Sequence, residues 1–278
     1  MSAADPTGQR LLVVVDPVAR RVDGESVRIA RDVLCAGSVA KICLPEGPEE
    51  VARAVGRRGR RRTVVIGDDR ALLRVVAQLH RQRELAAAPL AWVPVGSLPS
   101  VSVARVLGVP LGAVAAARAV LDGVERRLGL LADDSDGIVV GGLWVPAGDA
   151  GRRYAAVRGA PAVSARSALA LLARTGPRRG PRPAGARLRV EADGVLLANV
   201  DRPVGRVAVS APADGGSALA EVVVHARAGH HPVQARARTI TVSGPDFRYR
   251  ADNRIRGPVR VRTWTALAEG WRLTVPRS

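Results

Sequence analysis

Short, uninterrupted apolar runs alternate with stretches of helical spacing through the first half of the chain. Leu11 to Val15 is a continuous apolar run that stops at Asp16-Pro17. Val27, Ile29, Ala30, Val33 and Leu34 then recur at helical spacing, and Val39 to Leu44 reads as a second strand. Pro48 opens another helix, with Glu49 and Glu50 in the first turn, where the helix dipole favours negative charge. Thr63 to Ile66 is a third strand, rich in β-branched residues. It runs into Gly67-Asp68-Asp69 and a helix through about Leu79, and Leu90 to Val93 is a fourth strand. Strands apolar on both faces, alternating with amphipathic helices, predict a doubly wound parallel sheet with helices on both faces. Such sheets place ligands beyond the carboxyl ends of their strands. The loops of interest are therefore Asp16 to Gly24, Gly67 to Ala71 and Pro94 to Ser102.

Beyond about residue 130 the pattern changes to short alternating strands. They are expected at Gly137 to Val145, Arg187 to Glu191, Val195 to Val200, Arg206 to Ser210, Glu221 to Ala226, Gln234 to Ser243, Val259 to Thr263 and Trp271 to Val275. Asp193-Gly194 is a hairpin signal. This half reads as an antiparallel β-sandwich. The expected division is an α/β domain over 1–130 and a sandwich over 131–278, with a ligand cleft between them. A helix is expected over Pro161 to Arg174, followed by a basic Pro/Gly/Arg linker near 175–186.

Composition adds charge and removes some options. At 47% hydrophobic residues the 278-residue chain can bury a substantial core, built from Val, Leu and Ala because aromatics are only 3%. The formal net charge is +18, which invites a polyanionic partner: a nucleotide, a nucleic acid or an anionic membrane surface. Lys41 is the only lysine, so part of the arginine content reflects compositional bias. No apolar run approaches the roughly 18 residues of a membrane span. There is no secretory pattern at the start of the sequence, so a cytoplasmic protein with at most peripheral contact at the inner membrane face is expected. Cys35 and Cys43 fit no zinc spacing and are expected as reduced, mostly buried thiols. His225 and the His230-His231 pair lack obvious acidic or thiol partners, so no metal site is expected there. The run Asp133-Asp134-Ser135-Asp136 reads as a solvated turn. Arg57 to Arg62 reads as a solvated basic loop at the amino end of the sheet.

Three loop motifs carry candidate chemistry, and their order resembles the diacylglycerol-kinase-like lipid kinases. That family places an Asn-Pro-x-Ser/Ala-Gly turn after its first strand; here Asp16-Pro17-Val18-Ala19-Arg20 stands there. Its Gly-Gly-Asp-Gly-Thr loop after the third strand corresponds to Gly67-Asp68-Asp69-Arg70-Ala71, in which Gly67 and Asp69 match. Its Pro-x-Gly-Thr-Gly-Asn-Asp loop corresponds to Pro94-Val95-Gly96-Ser97, after which Leu98-Pro99-Ser100-Val101-Ser102 departs. The helix end Ala104-Arg105-Val106-Leu107-Gly108 matches again. In the sandwich, Ala211 to Leu219 is similar to an Asp-Gly-x-Leu stretch. Asp252-Asn253-Arg254 takes the place of the family's Asp-Gly-Glu, whose Glu is its expected base.

The resemblance implies a lipid kinase fold, with MgATP passing its γ-phosphoryl group to a lipid hydroxyl. It implies Asp16, Gly67, Asp69, Arg70, Gly96 and Ser97 as nucleotide-side residues, and Asp252 as the remaining candidate base. Arg254 cannot take that role, because a guanidinium stays protonated. Each motif departs at once, so the favoured expectation is a pseudokinase that binds nucleotide, lipid or a partner. Asp69 capping a helix is the competing account of the second loop. An active kinase using altered loops is the first alternative. A basic nucleic-acid binder is the second; the scarcity of aromatic stacking residues argues against it.

Overall fold

The computed structural model describes residues 9–146, 185–212, 218–226 and 231–277. The helix expected over Pro161 to Arg174, the linker near 175–186 apart from its last two residues, the centre of the Asp-Gly-x-Leu stretch and His230 lie outside the described residues. The chain divides into two compact units. One comprises residues up to Arg127 together with Trp271–Ser278, and the other comprises Leu128–Gly270.

The first unit begins with β1 (Arg10–Val15), α1 (Pro17–Val22), α2 (Gly24–Gly37) and β2 (Val39–Cys43). It continues with α3 (Pro48–Gly56), β3 (Arg62–Gly67), α4 (Asp69–Arg81) and β4 (Pro89–Pro94). A 3-10 turn (Leu98–Val101), α5 (Ser102–Leu107) and α6 (Ala113–Asp122) complete it. The strands run parallel in the order β2-β1-β3-β4, with Val13 opposite both Ile42 and Val64, and Val65 opposite Trp92. Residues Leu11, Val13, Val15, Val64, Ile66, Ala91 and Val93 pack with Ala30 and Leu34 of α2 and with Ala116, Ala117 and Val120 of α6. The alternate residues Leu12, Val14, Val65 and Trp92 are buried too. On that side α3 approaches β1 and α4 approaches β3. Strands buried on both faces need apolar residues at every position, which is why these runs do not alternate. The amphipathic stripe of α4 shows the complementary rule: Ala71, Leu72, Val75, Val76 and Leu79 are buried at helical spacing, and His80 and Arg81 end it. Cys35 is exposed on α2, outside the buried stripe of Val27, Ala30 and Leu34, contrary to the expectation of buried thiols; Cys43 is half-buried. The basic run is partly pinned: Arg58 pairs with Glu84, and Arg62 with Glu125 at 3.1 Å.

Among the described residues the second unit is all β. Into it run β5 (Val124–Asp133), β6 (Ile138–Val139), β7 (Gly142–Val145), β8 (Arg189–Ala192) and β9 (Val195–Ala198). These are followed by β10 (Val204–Ser210), β11 (Ala220–Ala226), β12 (Val233–Ala237), β13 (Thr239–Ala251) and β14 (Arg254–Val275). An antiparallel order β12-β11-β10-β7-β13-β14 forms one part, and β13 also pairs through Ile240–Ser243 with β8, which pairs with β9. Between these layers lies a core that includes Leu143, Val145, Val190, Val207, Val222, Ile240, Phe247, Tyr249 and Trp264. Tyr249 and Trp264 meet edge-on at 5.1 Å. The single strand expected over Gln234 to Ser243 is broken at Arg238, where the Asp193 carboxylate accepts from Arg238 N and Thr239 N. Asp193 and Gly194 both have positive φ, as a two-residue primed hairpin turn requires. Conversely, the strands expected at Val259 to Thr263 and Trp271 to Val275 are parts of one long strand. Its last stretch pairs parallel to β4, Leu273 opposite Leu90, within the first unit.

The acidic run is not a solvated turn throughout. Asp133 is buried, and its Oδ1 accepts from Ser135 N, Ser135 Oγ and Gly137 N. Burial alone would raise its pKa, but the bonds from Ser135 and Gly137 and the charge of Arg262 outweigh burial and hold it below the ordinary carboxylate value. The sign follows from linkage: a carboxyl lowered on folding stabilises above its unfolded value of about 3.9, and that stabilisation is lost as pH falls through the folded value. Asp133→Asn should therefore flatten the acid side of the stability profile, measured by denaturant melts from neutral pH downward. An unchanged acid limb would contradict this role.

Candidate functional site

The carboxyl ends of β1, β3 and β4 bring most of the nucleotide-side candidates together. Gly67 ends β3 against the β1 turn and the start of α4. A Cβ there would come within 2.8 Å of both the Asp16 and the Ala71 Cβ atoms. Its carbonyl accepts from Trp92 Nε1 at 2.9 Å and from Val95 N at 3.0 Å. Gly96 sits at φ +146°, a region closed to other residues, with Asp68 and Ser100 beside it. Ser97 is exposed, and its carbonyl accepts from Ser100 Oγ at 2.8 Å. Arg70 is exposed on the first turn of α4. Asp252 lies in the second unit.

Each acid in these loops is already used by the fold. Asp16 is 5% exposed; one oxygen accepts from Val18 N, capping α1, and the other pairs with Arg74 Nη1 at 3.0 Å. Asp68 caps α4 by accepting from Ala71 N at 3.0 Å. The cap is thus Asp68 and not Asp69, because Asp68 holds the extended backbone of an N-cap while Asp69 is the first helical residue. Asp69 is fully buried and turns the other way, accepting from Ser102 Oγ at 2.9 Å and Val103 N at 3.1 Å at the start of α5.

These contacts bear directly on ATP and magnesium. A phosphate at a helix N-terminus is held by the free backbone N–H groups there. At α1, α4 and α5 the N–H groups of Val18, Ala71 and Val103 are bonded to carboxylates of the same chain. A phosphate at these helix starts would meet the carboxylates of Asp16 and Asp68, while Asp69 is fully buried and turned toward α5. Among the described residues, no group of three His, Cys, Asp or Glu side chains converges to hold a metal ion. The loops thus offer a phosphate the carboxylates of Asp16 and Asp68, each already bonded to a backbone N–H group of its own helix. Arg74 was not legible as a site residue from the motifs. Its spacing, one helical turn beyond Arg70, is the signal that could have found it.

Asp252 occupies the hairpin turn between β13 and β14 at φ +49°. Its Oδ1 accepts from Gly141 N at 2.8 Å and Gly142 N at 3.2 Å, and its Oδ2 from Val140 N at 3.0 Å. Burial raises its pKa, opposed by these three N–H groups and by Arg256. Both oxygens are engaged by backbone, and the residue is 8% exposed. His225 stands opposite Arg206 across β11 and β10, where burial and then that charge lower its pKa.

No family model matches the sequence, and no curated protein matches it. Solved structures do. The chain superposes on a "putative diacylglycerol kinase" from Bacillus anthracis str. Sterne with a TM-score of 0.70 at 12% identity, covering 98% of each chain. A further structure, of a diacylglycerol kinase from Bacillus anthracis str. Sterne, gives 0.67 at 11% identity with the same coverage. Across nearly its whole length this chain has the diacylglycerol-kinase-like fold: a parallel α/β unit and an antiparallel β-sandwich.

Proposed function

We propose that the chain is a divergent member of the diacylglycerol-kinase-like lipid kinases and works as a pseudokinase, a binding module on a kinase fold. The observation that carries this reading is the engagement of one N–H group at the start of each of α1, α4 and α5 by Asp16, Asp68 and Asp69, which places carboxylates where a nucleotide phosphate would sit. Phosphoryl transfer needs a phosphate cradle, a metal and a base. The cradle is filled from within. The carboxylate in the base position is bonded to Val140, Gly141 and Gly142, and the neighbouring Arg254 cannot accept a proton. The fold itself is coherent in both units, which fits selection for a surface and not for turnover.

The test is calorimetric titration of the purified chain with ATP, with and without magnesium. The expected result is no saturable heat at millimolar ATP. Saturable, metal-dependent binding would overturn the filled-cradle account, and turnover in a lipid phosphorylation assay would overturn the pseudokinase reading. A lipid phosphorylation screen would then decide for the active kinase, with Arg70, exposed beside the loop, as the guanidinium to remove first.

A further inference from the structure

We propose that the β13–β14 hairpin is a docking surface for an anionic phospholipid bilayer. The sequence repeats a motif there: Arg254-Ile255-Arg256 and, six residues on, Arg260-Val261-Arg262. Ile255 is 52% exposed and Val261 53% exposed, each flanked in sequence by arginines whose side chains alternate to the other face of the strand. Ile255 stands directly opposite Arg250, and Arg248 is exposed on the same strand. Between Ile255 and Val261 the strand is irregular, with Gly257 at φ +94° before Pro258 and a register shift against β13.

Charge selects the partner. From Asp246 to Arg262 the hairpin carries six arginines and two aspartates. Asp252 is buried and bonded to backbone, so it does not offset the surface charge. Asp246 pairs with Arg260 at 2.9 Å, but that arginine is 81% exposed and can exchange the carboxylate for a phosphate. Arg262 is held by Asp134, with its side chain 15% exposed. Guanidinium groups bind phosphodiesters through paired donors, and polybasic surfaces are drawn to anionic leaflets. The exposed Ile255 and Val261 add what a purely electrostatic partner would not reward: aliphatic groups placed to enter the boundary between headgroups and acyl chains. A nucleic acid would instead call for aromatic stacking residues, and the one aromatic pair on β13, Phe247 and Tyr249, is buried in the core. No helix among the described residues is long and apolar enough to cross a membrane, so this contact is with the bilayer surface. The inference stands whether or not the first unit binds nucleotide.

The test is co-sedimentation of the full chain with phosphatidylcholine vesicles, with and without phosphatidylglycerol. Binding should require phosphatidylglycerol and weaken as salt is raised. The double variant Arg248→Gln with Arg260→Gln should bind about tenfold more weakly, and Ile255→Ser with Val261→Ser about fivefold more weakly, with circular dichroism unchanged. A charge-matched control, Arg28→Gln with Arg53→Gln in the first unit, should bind like the parent. Failure to bind, equal binding to neutral vesicles, or an equal loss in the control would overturn the proposal. So would full competition by DNA or by inorganic polyphosphate, which would assign the arginines to a soluble polyanion. If the double charge variant does not fold, Ile255→Cys in a Cys35→Ser, Cys43→Ser background, labelled with a polarity-sensitive dye, reads insertion directly. A blue shift on anionic vesicles supports the surface; none overturns it.

Discussion

Asp252→Ala should destabilise the second unit by about 4 kcal/mol, because it removes one buried carboxylate and strands three buried N–H groups at once. The donors of Val140, Gly141 and Gly142 would lose the carboxylate that accepts from all three, and alanine would have to hold the positive φ that Asp252 holds. Denaturant melts followed by tryptophan signal would show the midpoint fall with an unchanged slope. Asp252→Asn should cost less, since one amide oxygen still accepts while the amide nitrogen faces N–H groups. The contrast with a catalytic role is direct. A base whose job is proton transfer can be replaced by its amide with loss of turnover and little loss of stability. A stability change below about 1 kcal/mol in the alanine variant would return Asp252 to the list of candidate bases.

Asp69→Ala should cost the first unit about 3 kcal/mol, by freeing Val103 N and Ser102 Oγ at the start of α5 and leaving a void in a fully buried position. The sign separates two roles. Carboxylates kept for a metal or a phosphate-bound metal repel their surroundings when the ligand is absent, so their removal tends to stabilise the empty protein. A carboxylate that ties the loop after β3 to the helix after β4 does the reverse. Thermal melts of the purified chain without ligand decide this, and a raised Tm in Asp69→Ala would mark a ligand-holding acid.

The architecture of the first unit was legible because a strand covered on both faces has little freedom in composition. Leu11 to Val15, Thr63 to Ile66 and Leu90 to Val93 are apolar throughout, and each is a strand. What escaped was local. The hydrophobic pattern contains nothing that would divide β12 from β13 at Arg238; the break comes from Asp193, 45 residues earlier, which captures the N–H groups of Arg238 and Thr239. The two strands expected at Val259 to Thr263 and Trp271 to Val275 are joined in β14, in which Glu269 takes a positive φ. In the candidate site, residue types were readable and their bonding was not. Two adjacent aspartates after a strand both satisfy the composition of a cap. Only the backbone direction shows that Asp68 turns to its own helix and Asp69 to the next. Likewise, nothing in Asp252-Asn253-Arg254 reveals that a turn more than a hundred residues earlier aims three N–H groups at that carboxylate.

The return of β14 to the first unit has a consequence for how the protein is made. Trp271 and Leu273 are fully buried, and this stretch pairs with β4. The sandwich is therefore an insertion within the α/β unit in chain order, and residues 1–127 leave the ribosome before the strand that covers the β4 edge. Synthesis proceeds from the N-terminus at some 5–20 residues per second, so that edge stays open until the whole insertion has been made. The part of the protein begun first is the part finished last. A cut between the units at residue 127 would yield a fragment with an unpaired apolar edge, a template for aggregation, and not an independent domain.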